Sequence, residues 1–221
     1  MQVVNSSDFV RDAVKRIAEA SFAAAGGPFR LALCGGQTPR AIYEALAAED
    51  LDWRNFIITF GDERCVPPDH SDSNYRMACE SLLARVPIPE ENILRLKGEM
   101  PPEEAANIYE RELRQRSGDE VFSHDLILLG MGEDGHTASL FPATSAIGES
   151  DRWVVANEVA ELATCRLTFT FTLINAARRV LFLVKGERKR ELVEGIARGN
   201  GHNYPAAMVR PHEGSLLWLV G

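Results

Sequence analysis

Long apolar runs are missing from this 221-residue chain. None approaches the ~20 residues that a membrane-spanning helix needs, so no such helix and no membrane partner is expected. The opening MQVVNSSDF has no basic patch leading into an apolar run, so no secretory leader is expected either. Cysteine is sparse: Cys34, Cys65, Cys79 and Cys165 are widely and irregularly spaced, with no CxxC pair. That spacing fits reduced thiols in a cytoplasmic protein better than a disulfide framework. Positive charge is short as well. Lys and Arg number 24 against 32 Asp and Glu, a net charge of −8, so the chain has no overall attraction for nucleic acid. An anionic ligand would need a local site. His70, His124, His136, His202 and His212 show no paired ligand spacing, so no metal centre is expected. Neither a GxSxG nor a Cys-His signature marks a nucleophilic Ser or Cys.

What remains is ordinary globular composition, 45% hydrophobic and 25% charged. No linker, internal repeat or low-complexity segment divides the chain, which reads as a single domain over 1–221. Residues 7–25 form an amphipathic pattern, with Val10, Val14, Ile17, Ala18 and Ser21 on one stripe. Ser6 or Ser7 is the expected cap, and Gly26-Gly27-Pro28 the stop. Apolar strands are expected at 30–36, 56–60, 125–130, 180–186 and 215–220. Weaker or alternating strands are expected at 92–96, 152–157 and 166–171. Between them fall helices that begin at a Thr38 cap with Pro39 in the first turn, and at 73–85, 101–116 and 187–198. Strands alternating with helices, several of them apolar throughout, predict an α/β fold. Its central sheet would be mostly parallel, with helices on both faces. Residues 61–75 and 143–165 are the least regular.

Three loops carry chemistry. CGGQTP (34–39) runs from strand through paired glycines into a helix start, which offers backbone N–H groups at a positive helix end. A plain strand-to-helix turn explains the same residues. In TFGDERCVPP (59–68), Arg64 has the planar fork that suits phosphate or carboxylate. Asp62 and Glu63 are placed to orient it or to bind sugar hydroxyls, although a solvated charged loop is the plainer account. In LLGMGEDGHTASLFP (128–142), glycines surround His136, and imidazole is the side chain most readily poised for proton transfer near neutral pH. All three loops follow the carboxyl end of an apolar strand, where ligands bind in open parallel sheets.

Taken in order, GGQTP, FGDERCVPPDHSDSN, GMGEDGHTASLFP, RLTFTFTLINAARRVLFLVKGERK and PHEGSLLWLV resemble the 6-phosphogluconolactonase family, from residue 31 to nearly the end. The resemblance implies a modified Rossmann-like α/β sandwich. It implies hydrolysis of 6-phospho-D-glucono-1,5-lactone to 6-phosphogluconate in the oxidative pentose phosphate pathway, without a cofactor. The expected partner is therefore a small phosphorylated sugar lactone. By motif, the resemblance makes His136 the general base with Asp134 beside it. Gly35, Gly36, Gln37 and Thr38 become a phosphate-and-sugar loop, and Asp62 and Arg64 line the pocket. Arg166 and Lys189 match the family's RxT and GxxK segments. Gln37 stands where the family often has Ser. Residues 138–140 are expected to begin a short helix whose positive end faces His136, with Phe141 packing and Pro142 setting the exit. Two rivals share the fold. One is an amino-sugar-phosphate deaminase, whose Gly-His is followed by a run ending in Asn-Glu; here the run is TASLFP, with no acid. The other is a non-catalytic sugar-phosphate-sensing domain.

Overall fold

Residues 1–24, 27–118 and 120–221 are described by the computed structural model. The chain begins with β1 (Gln2–Asn5), α1 (Phe9–Ala23), β2 (Phe29–Leu33) and α2 (Gln37–Leu46). Next come β3 (Phe56–Phe60), β4 (Asp62–Arg64), α3 (Asn74–Ser81), α4 (Pro102–Ser117) and β5 (Leu126–Leu129). The remainder is β6 (Val154–Val159), β7 (Thr164–Phe169), α5 (Phe171–Asn175), β8 (Arg179–Val184), α6 (Glu187–Ala197), α7 (Pro205–Met208) and β9 (Ser215–Val220).

Six strands pair in the order β1-β9-β8-β5-β2-β3, every pairing parallel. All residues of FIITF in β3 and LILL in β5 are buried, as a parallel sheet covered on both faces requires. Phe182 of β8 and Trp218 of β9 are register partners whose rings stack 3.8 Å apart. The expected mostly parallel α/β sheet is therefore present. A second sheet, β4-β7-β6, is antiparallel and was not separated from the first by sequence pattern. The strands expected at 152–157 and 166–171 are its β6 and β7, each displaced by two residues.

Several local expectations are corrected. Residues 92–96 make no strand; Ile93 forms a single bridge to Ile58 before the chain turns away at Gly98. The helix expected at 73–85 breaks at Leu82 (φ −138°, ψ −64°), and Leu83–Arg85 is a 3-10 turn. Asp8, not Ser6 or Ser7, caps α1, while the Ser6 hydroxyl donates to Asp12 at 2.6 Å. The stop expected at Gly26 lies outside the described residues. Thr38 is no cap either: α2 already begins at Gln37, and Gly36 (φ 107°) is its N-cap. The edge strand β1 was missed, because four residues of QVVN carry too little pattern. Arg64 and its two predecessors, expected in an irregular loop, form β4 against β7.

Candidate active site

The chain leaves β2 towards β3 on one side of the sheet and β5 towards β8 on the other. Loops after β2 and β5 therefore diverge, and a crevice opens at the carboxyl ends of the strands. It holds a cavity of about 360 Å³. Gly35, Gly36, Gln37, Thr38, Asp62, Arg64, His136, Arg166 and Lys189, expected from five separate segments, all line this cavity. Asp134 stands behind His136 instead, at the His136 ring rather than in the lining.

His136 is held from several directions. Its ring Nδ1 lies 2.6 Å from Asp134 Oδ1, which also accepts the His136 backbone N–H. An Nδ1–H donated to this carboxylate leaves Nε2 unprotonated, the tautomer a general base needs. Burial opposes the charge on Asp134. The His136 N–H, the imidazole charge and the ring hydrogen bond outweigh it, and hold the carboxyl below its ordinary value. Phe141 covers the ring, with centroids 4.2 Å apart, so its expected packing role is to support the histidine. Gly132 has to be glycine, because a Cβ there would collide with the imidazole and with Asp134.

The helix expected at 138–140 is absent. Thr137 and Leu140 bridge across a tight turn, with Ala138 left-handed at φ 48°. The reason lies in distant partners. Thr137 Oγ1 donates to the Gly130 carbonyl and the Ser139 N–H to Thr168 Oγ1, which removes the groups a helix would have used. The positive helix ends at the cleft belong to α2 and α6 instead. Both follow a glycine of positive φ, Gly36 (107°) and Gly186 (110°), and neither first turn has a side-chain cap. Their free N–H groups suit an anion.

The cations come mainly from the small sheet. Arg64 and Arg166 are register partners across β4 and β7. Like charges placed directly opposite repel, and among the described residues neither guanidinium is within ion-pair reach of a carboxylate. Arg64 donates to the Asp72 carbonyl, and Arg166 to Thr164 Oγ1 at 2.6 Å. Burial first, and then the facing Arg64, pull the Arg166 guanidinium below its ordinary value, although Asp62 opposes this. Two such cations in one crevice are matched to a divalent anion. Lys189 adds a third from the first turn of α6. Neighbouring Arg188 pairs with Glu133 at 2.9 Å and so ties that turn to the histidine loop.

Glu63 does not face the cleft. Its carboxylate accepts the backbone N–H groups of Arg64, Asn74 and Tyr75 at 2.7–2.8 Å and the Ser73 hydroxyl at 3.0 Å, which anchors α3. Burial pushes its pKa above the ordinary carboxylate value although those N–H groups favour the charge. Sequence reasoning did not single out Asn74, Ser139 or Leu162, yet all line the cavity. Asn74 lies in the quoted DHSDSN segment, and its side chain occupies the place a Cβ on Gly35 would need. Leu162, 54% exposed at the β6–β7 turn, carries no pattern that could have found it. Among the described residues no helix is long and apolar enough to cross a membrane, and no cluster of three metal-ligating side chains occurs.

With this geometry in place, similarity to known proteins becomes informative. The family described as glucosamine-6-phosphate isomerases/6-phosphogluconolactonase matches residues 4–218. The 6-phosphogluconolactonase of a Synechocystis species is 44% identical over 201 residues, covering 88% of this chain and 82% of that protein. The human 6-phosphogluconolactonase is 37% identical over 218 residues, covering 94% and 83%. The crystal structure of 6-phosphogluconolactonase from Thermotoga maritima superposes with a TM-score of 0.89 at 32% identity, covering 100% of this chain and 99% of that one.

Proposed function

This chain belongs to the glucosamine-6-phosphate isomerase/6-phosphogluconolactonase family, and on that premise we propose that its cleft hydrolyses 6-phospho-D-glucono-1,5-lactone to 6-phospho-D-gluconate. The observation that carries this reading is the placement of His136, backed by Asp134, in the same cavity as the opposed Arg64 and Arg166. A phosphorylated cyclic ester needs an anchor for its phosphate and a base for water, and the cleft can supply both. His136 Nε2 takes a proton from water as the oxygen attacks the lactone carbonyl, then returns it to the ring oxygen that leaves. Asp134 holds the ring in the required tautomer and offsets the charge that forms on it. The N–H groups of the uncapped α2 turn, beside Gly35, Gly36, Gln37 and Thr38, are placed to receive the tetrahedral oxyanion or the phosphate. Arg64, Arg166 and Lys189 hold the phosphate, whose remote binding energy positions the carbonyl. We place this activity in the cytoplasm, in keeping with four free cysteines.

The test is a coupled assay in which glucose-6-phosphate dehydrogenase makes the lactone in place and hydrolysis is read above the spontaneous background. His136→Asn should lower kcat by about 10²–10⁴-fold in a protein that melts like wild type. A kcat within a few-fold of wild type would remove His136 from this role. Glucosamine 6-phosphate should release no ammonia, because no acid follows His136 in TASLFP. Ammonia release would move the chain to the deaminase side of its family.

A further inference from the structure

Asp62 lies two residues before Arg64 on β4, so both side chains project from the same face of the strand. Their partners across the ladder are Thr168 and Arg166. That face therefore carries two cations at one end and a carboxylate with a hydroxyl at the other. Asp62 is 8% exposed and both its oxygens are engaged: Oδ1 accepts from Asn74 at 3.1 Å, and Oδ2 from the Ser139 hydroxyl at 2.7 Å. Ser139 is 2% exposed and belongs to the turn that carries His136. Its other polar groups are also taken by the small sheet: its N–H donates to Thr168 Oγ1 at 3.1 Å, and its carbonyl accepts from Asn157 at 2.8 Å. Between Ser139 and His136, Ala138 is held at φ 48°, a conformation that a residue with a Cβ takes up only when its surroundings enforce it.

We propose that Asp62 is a positioning residue: its hydrogen bond to Ser139 fixes the His136 turn against the strand that carries Arg64, and so sets the distance between base and phosphate clamp. Asp62 does this through Ser139, although it also borders the cavity. The inference rests on the lactonase reading above, and it differs from the expectation that Asp62 binds sugar hydroxyls. The hydrogen bond joins segments 77 residues apart. A misplacement of order 1 Å between catalytic and binding groups costs about 10²-fold in rate.

Ser139→Ala, Asp62→Asn and the double variant are to be compared with wild type by kcat, by KM for the lactone, and by competitive inhibition with inorganic phosphate. Each single variant should lower kcat by about tenfold or more. In Ser139→Ala, KM and the phosphate inhibition constant should stay within about twofold, because Arg64, Arg166 and the Asp62 charge are untouched; in Asp62→Asn, which removes a carboxylate acting on Arg166, neither should rise. The double variant should lose no more than the worse single one, as two members of one contact do. If Ser139→Ala does not fold, Thr168→Val frees the Ser139 N–H and should give the same split. Three results would overturn the inference: a rise in KM and in the phosphate constant with kcat held, losses that multiply in the double variant, or no loss in any variant. If wild type itself fails to hydrolyse the lactone, the functional reading fails and not this inference alone.

Discussion

In the six-stranded sheet, β3 and β5 have no exposed residue and no charged one. In the three-stranded sheet, β4 is nothing but charges, and it sets Arg64 directly against Arg166. The parallel sheet gathers free energy by covering apolar strands on both faces. The antiparallel sheet gives some up, by holding like charges together with, among the described residues, no carboxylate in ion-pair reach of either. One region supplies apolar burial; the other sets two cations at the mouth of the cleft. Proteins commonly hold such unfavourable arrangements where a ligand will relieve them.

The contrast can be broken most severely in the large sheet. Phe182→Ala removes a ring that is fully buried and stacked at 3.8 Å on Trp218. It should cost about 3–5 kcal/mol in urea unfolding while the molecules that remain folded keep their kinetic constants. Activity lost ahead of stability would mean that the two regions are not separable.

A smaller effect is expected at the seam between the sheets. His124 is fully buried, its Nε2 lies 2.9 Å from Thr59 Oγ1 of β3, and its ring leans on Phe169 of β7. Burial first, and nearby Arg30 second, push its pKa down to about 3. The unfolded chain therefore binds the proton first. The contribution of neutral His124 is complete above the unfolded value of about 6.5 and is lost as pH falls towards about 3. Urea unfolding at a series of pH values should show stability dropping by up to about 1.4 kcal/mol per pH unit in that window. His124→Gln should flatten the slope. An equal slope in the variant would place the acid sensitivity elsewhere.

The smallest effects test the small sheet. Inorganic phosphate at about ten times its Kd should stabilise wild type by about 1.4 kcal/mol, read as a rise in Tm. In Arg166→Gln most of that rise should vanish. The same change, like Lys189→Ala, should raise KM for the lactone by about tenfold while kcat changes little. If phosphate raises Tm equally in Arg166→Gln, the anion binds away from the β4–β7 face.

Most of the parallel sheet was legible from sequence, because an apolar run such as FIITF or VLFLV can be nothing but a buried strand in this setting. The cleft was legible as well, since loops after several such strands meet at one end of the sheet, and the motifs named His136, Arg64, Arg166 and Lys189. The small sheet was not. Asp62–Arg64 is too short for a periodicity, and it becomes β4 only because β7, about a hundred residues later, supplies its partner. The turn at 137–140 failed for the same reason: Ala-Ser-Leu reads as helix until Thr168, Asp62 and Asn157 take the polar groups of Ser139.

Local pattern was thus enough for the apolar strands and the α/β class, because burial of a strand is a property of nearby residues. Folding settled the rest. It turned Glu63 away to anchor α3, engaged both oxygens of Asp62, and brought Arg64 face to face with Arg166. Hydrogen bonds and charge pairs depend on partners that are distant along the chain and become neighbours only when the strands pair.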